Sequence, residues 1–129
     1  MNKPNAETAT KMLQLVNLTT YNGQITYLAI SFLCQTGATF GETARLKVGD
    51  VFANGKAKKW VRLRHQVPQC TMLVRPAARK TVKLAIEIQA QHGFPPDAVA
   101  PLFRTSSGKA FTADQLASLF QLYREAAES

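Results

Sequence analysis

Phe32-Leu33-Cys34-Gln35-Thr36-Gly37-Ala38-Thr39-Phe40-Gly41-Glu42-Thr43-Ala44-Arg45-Leu46-Lys47-Val48-Gly49-Asp50-Val51 is the stretch on which the fold turns. Leading into it, Ile25, Leu28, Ala29, Phe32 and Leu33 recur at i, i+3, i+4, i+7 and i+8, the spacing of one buried helical face. Gly37 then supplies the residue at which such a helix stops. Thr39, three positions before Glu42, predicts a capping box: the hydroxyl takes the Glu42 amide proton and the carboxylate reaches back to the Thr39 amide. A short helix through Leu46 follows, and it delivers the chain to a strand.

Upstream, Asn5-Ala6-Glu7 can cap a first helix with Met12, Leu15 and Val16 at helical spacing, ending before Asn17 and a turn-like Tyr21-Asn22-Gly23. Downstream the period changes from helical to alternating. Asn54-Gly55 is a hairpin dipeptide, and Val61 and Leu63 alternate with Arg62 and Arg64, which predicts an antiparallel strand with a basic outer face. Cys70–Val74 and Lys80–Leu84 are two further strand candidates, separated by a turn at Arg75-Pro76-Ala77-Ala78-Arg79. Leu84 to Gln91 reads as a helix stopped at His92-Gly93, Pro101-Leu102-Phe103 as a short extended segment, and Ser106-Ser107-Gly108-Lys109 as a turn. Thr112 and Gln115 make a second capping box, and Leu116, Leu119, Phe120 and Tyr123 mark an amphipathic last helix. The resulting fold class is α+β: mostly helical, with a small three-stranded antiparallel sheet.

At 129 residues the chain holds one core, so residues 1–129 are expected to form a single domain. No apolar run approaches the roughly 18 residues of a membrane span, and the first residues do not resemble a secretory signal; a soluble, cytoplasmic protein without a membrane partner is expected. Cys34 and Cys70 are too few for a disulfide framework and lack zinc-site spacing, so they read as free thiols, with no metal or cofactor. Sixteen Lys and Arg against eight Asp and Glu give a net charge of +8, and its distribution is uneven. From Arg45 to Lys83 there are eleven cations against Asp50 alone, a net of +10, while the flanking segments are balanced or acidic. So concentrated a block is the electrostatic footprint of a phosphate-backbone partner.

Taken in order, these segments resemble the catalytic domain of the tyrosine recombinases, the phage integrase family. The 32–51 stretch is similar to that family's helix, Thr-Gly turn, arginine position, Glu, Leu and closing Asp-Val. Arg79-Lys80-Thr81-Val82-Lys83-Leu84 resembles the strand after the family's lysine turn, and Pro101-Leu102-Phe103 through Thr112 resembles the approach to the second half of the active site. The resemblance covers residues from about 8 onward and implies the N-terminal half to two-thirds of such a domain, lacking its C-terminal helices. It also implies what should perform chemistry: two arginines on the scissile phosphate, a lysine and histidines as proton donors, and a tyrosine nucleophile. The first arginine falls at Thr39, which cannot form a charged bidentate fork. Arg75 falls near the lysine position, where an always-protonated guanidinium is a poor proton donor. No His-x-x-Arg occurs in these residues, since neither His65 nor His92 sits in that motif, and the nucleophilic tyrosine has no counterpart.

Other single residues read plainly. Tyr123 lies on the apolar stripe of its helix, Cys70 with His65 is too unspecific for a thiolate pair, and Trp60, beside Lys58 and Lys59, is expected in the core rather than stacked on a base. The expectation is therefore a non-catalytic protein without a small-molecule substrate, binding duplex DNA through Arg45, Lys47, Lys56, Lys58, Lys59, Arg62, Arg64, Arg75, Arg79 and Lys80, and acting in DNA integration or recombination or its regulation. The alternative is a protein-interaction module, a recombinase remnant that modulates an intact recombinase. An apolar patch at Leu119, Leu122 and Tyr123 would promote self-association.

Overall fold

A computed structural model describes residues 3–63 and 70–129, so the expectations for Arg64 and His65 lie outside the described residues. The first helix, α1 (Ala6–Leu15), starts where Asn5 Oδ1 accepts the Thr8 amide proton. The next, α2 (Tyr21–Thr36), begins at Thr20, whose hydroxyl oxygen accepts from the Gly23 amide. Tyr21-Asn22-Gly23 is thus the first turn of a helix rather than a loop. Gly23 is required there by proximity: a Cβ at this position would fall 1.5 Å from the Asn17 carbonyl oxygen. Gly37, at φ 70°, closes α2 as its spacing predicts.

The single buried face expected of α2 proves to be two. Ile25, Leu28, Ala29 and Phe32 face one apolar cluster, while Ile30, Leu33 and Cys34 face a second, shared with Met12 of α1, Val16 just after it and Phe120 of the last helix. A helix in the middle of a small domain is buried on both sides, which is why every residue from Ile25 to Cys34 except Tyr27 is buried. Burial also pushes the Cys34 thiol pKa up, which makes it an inert free thiol.

The capping box forms as read. Thr39 Oγ1 accepts from the Glu42 amide at 3.1 Å and Glu42 Oε1 from the Thr39 amide at 2.7 Å, opening α3 (Phe40–Arg45). A single turn, α4 (Val48–Val51), leads to a tight ladder of β1 (Phe52–Ala53) with β2 (Lys56–Ala57), joined by Asn54 and Gly55 at φ 55° and 76°, the left-handed pair a two-residue hairpin requires. Then β3 (Trp60–Leu63) pairs antiparallel with β4 (Cys70–Leu73), with Val61 opposite Met72 and Arg62 opposite Thr71. The antiparallel structure is therefore two separate two-stranded ladders, not one three-stranded sheet.

The third strand is replaced by a helix, α5 (Pro76–Gln91). Over five residues Lys80–Leu84 fits a strand, but Ala78, Val82, Ala85, Ile86 and Gln89 are all buried, at i, i+4, i+7, i+8 and i+11. Pro76 sits in the first turn, where its missing N–H costs nothing, so it opens a helix instead of making a turn. Thr81, also buried, donates its hydroxyl proton to Gln35 Oε1 at 2.8 Å, tying α5 to α2. The stop at His92-Gly93 holds, as do the extended Pro101, bridged to Lys47, and the Gly108 turn. The Thr112–Gln115 capping box opens α6 (Ala113–Glu128), which packs on α1 and α3. Leu119 and Tyr123 pack against the two apolar clusters, so of the expected apolar patch only Leu122 is largely exposed.

Candidate nucleic-acid interface

The basic residues fall into three places. On β3, Val61 is fully buried and Arg62 is exposed, as alternation demands. On the same outer side Lys58, Trp60, Arg62 and Asp50 line a cleft of about 220 Å³. Lys58 is held there rather than free: its ammonium donates to the Gly49 carbonyl at 2.9 Å. Trp60 overturns its expected place in the core, being 60% exposed, because a strand that turns Val61 inward must turn Trp60 outward with Arg62.

The second group belongs to the start of α5. Val74 donates its amide proton to the Lys59 carbonyl at 2.7 Å, which brings exposed Lys59 beside Arg75, the N-cap of α5. Arg79 lies one turn on, half-buried, with Nη1 donating to the Val74 carbonyl at 3.3 Å, and Lys80 next to it is exposed. Arg79 and Lys80 are thus helical residues and Arg75 the cap before them, all at the end of the β3–β4 ladder and not members of a basic sheet. Lys56 is exposed on β2, which packs against α5. Arg45 and Lys47 form the third group, lining a different groove of about 260 Å³ with Val99, Pro101 and Ala110. Among the described residues, none of these nine cations forms an ion pair with a carboxylate.

Thr39 is exposed, and its side chain is occupied as a helix cap. Just behind it the second oxygen of Glu42 and the Thr43 hydroxyl are buried without a partner among the described residues.

A site that the sequence does not announce surrounds Arg104, which is 7% exposed. Its Nε donates to Gln89 Oε1 at 2.9 Å, its Nη2 to the Pro95 carbonyl at 3.0 Å and, longer, to that of Phe94 at 3.4 Å, and its guanidinium lies 5.1 Å from the centre of the Phe94 ring. Its own carbonyl accepts the Tyr21 hydroxyl at 2.7 Å, and the Tyr21 ring stacks on His92 at 4.0 Å. Burial pushes the Tyr21 hydroxyl pKa up to about 12 against the opposing pull of the Arg104 charge. These contacts join α2, α5 and the following loop, a structural role. No cluster of three His, Cys, Asp or Glu able to hold a metal occurs among the described residues, and no helix is long and apolar enough to cross a membrane.

No family model matches the chain, and no curated protein sequence matches it. The likeness is one of shape: the chain superposes on the crystal structure of XerA recombinase with a TM-score of 0.71 and 14% sequence identity, over 99% of its own length and 42% of that chain, and its fold is accordingly similar to that of a recombinase.

Proposed function

We propose that the chain is a non-catalytic DNA-binding protein of recombinase-like fold, acting in DNA integration or recombination or in its regulation by gripping the phosphate backbone of duplex DNA. The observation that carries this reading is the group of cations around the β3–β4 ladder and the start of α5 that have no carboxylate partner among the described residues: Lys59, Arg62, Arg75 and Lys80, all exposed. Cations displayed without carboxylates to neutralise them attract phosphates and displace their counterions. The likeness to XerA recombinase supports DNA as the polyanion and recombination as the setting.

The non-catalytic part of the reading rests on Thr39. The resemblance sets the first phosphate-binding arginine at this position, and a neutral hydroxyl already accepting a helix amide proton cannot replace it. Loss of one such charged contact costs about 3 kcal/mol in the transition state, roughly a hundredfold in rate.

The test is fluorescence anisotropy with a labelled duplex of about 20 base pairs at low salt. Wild-type protein binds in the micromolar range with weak sequence preference, and Arg62→Glu with Arg75→Glu lowers affinity by at least about tenfold while leaving the fold intact, because both side chains are exposed. Arg124→Glu is the control for a charge reversal away from this face, compared with Arg62→Glu alone, since Arg124 lies on α6 and pairs with Glu128. Equal losses for both variants would refute a localised interface.

A further inference from the structure

We propose that the cleft beside Trp60 seats an unpaired base of single-stranded DNA, with Trp60 as the stacking surface and Lys58 and Arg62 on the flanking phosphates. The inference rests on the DNA-binding reading and narrows it: beyond the duplex backbone, this face recognises a base that has left the helix.

Trp60 is the chain's sole tryptophan. It stands exposed on β3, next to a cleft whose other walls are Lys58, Arg62 and Asp50. Across the ladder its partner is Leu73, itself 40% exposed, so an apolar strip of Trp60 and Leu73 runs over the outer face. Cations border this strip: Lys58 and Arg62 at the cleft, Lys59 before Trp60, and Arg75 two residues after Leu73. Two features of this arrangement discriminate among partners. A duplex presents phosphates and sugars on its outside with its bases stacked within, so it satisfies the cations but has nothing for the indole face. A single strand offers both at once, a base plane for the indole and phosphates on either side, which is how non-specific single-strand surfaces are built. A protein partner would complement the apolar strip, but the rim is cationic apart from Asp50, whose carboxylate accepts the Lys47 amide proton at 3.0 Å. The Lys58 ammonium, fixed by the Gly49 carbonyl, is already oriented and loses little freedom on binding.

Because Trp60 is the only tryptophan, its emission reports on this cleft alone. Titration with a 12-nucleotide oligo(dT) quenches it, whereas a 20-base-pair duplex binds, as read by anisotropy, with much weaker quenching. Trp60→Ala lowers the affinity for labelled oligo(dT) by about 5- to 150-fold, the loss of stacking on one base, and changes duplex affinity less than about twofold. Trp60→Phe keeps oligo(dT) affinity within about threefold of wild type, since a ring is retained, and circular dichroism confirms that both variants are folded. Duplex binding combined with unchanged Trp60 emission on adding oligo(dT) overturns the inference and leaves duplex binding standing; so does a Trp60→Ala loss that is equal for both ligands. Oligo(dT) binding without duplex binding supports the inference and refutes the duplex reading, and absence of binding to either overturns both.

Discussion

Replacing Arg104 by Met tests how the second half of the chain is held in place. Methionine keeps most of the aliphatic volume and removes the guanidinium, leaving Gln89 Oε1 and the Pro95 carbonyl without their donors in a buried site. A buried charge can often be exchanged for an apolar side chain when its partners are exchanged with it, but here one partner is main chain and stays. Two hydrogen bonds from a charged donor at about 1.5–3 kcal/mol each give a destabilisation of about 3–6 kcal/mol, and the cation–π contact to Phe94 is lost as well. That is a large share of the roughly 5–15 kcal/mol that holds a domain of this size. In urea the unfolding midpoint falls by roughly 1.5–3 M, and Tm drops by roughly 10–20 °C. Arg104→Lys, which keeps the charge but not the fork, recovers about half of the loss. A Met variant within 1 kcal/mol of wild type, with unchanged denaturant dependence, would refute the view that Arg104 fastens the loop after α5.

Two further tests concern local chemistry. The Tyr21 hydroxyl has a raised pKa in the folded state, so the native protein holds that proton more tightly than the unfolded chain does; its stability contribution is complete below pH 10 and is lost as pH rises from 10 toward 12. Urea midpoints across that range fall less steeply for Tyr21→Phe than for wild type, and identical slopes would remove Tyr21 from the account. Thr39→Ala deletes the oxygen that accepts the Glu42 amide proton and costs about 1–2 kcal/mol in chemical denaturation, whereas Thr39→Ser, which can still cap, stays within about 0.5 kcal/mol.

The residues that reveal themselves in the sequence are those whose partners lie within four positions. Thr39 with Glu42, Thr112 with Gln115, the Asn54-Gly55 turn and the Gly37 stop depend on local backbone geometry, and each forms as its spacing predicts. Lys80–Leu84 misleads because five residues fit both periods; the wider spacing from Ala78 to Gln89 separates them, and a proline can open a helix as readily as it can make a turn. Trp60 was legible in principle, since the alternation that sends Arg62 outward sends Trp60 with it, but hydrophobicity argued the other way. Arg104 was not legible. Its partners are two main-chain carbonyls and an amide oxygen nine to fifteen residues away, and main-chain oxygens leave no trace in side-chain identity.

If the exposed cations around the β3–β4 ladder and the start of α5 grip a phosphate backbone, duplex binding depends steeply on salt. Each phosphate contact releases close to one counterion, so about four to six contacts give a log–log slope of about −3.6 to −5.4, and affinity falls by between about 100- and 2,000-fold from 50 to 200 mM salt. A slope shallower than about −1, or no binding at 50 mM, would contradict the account.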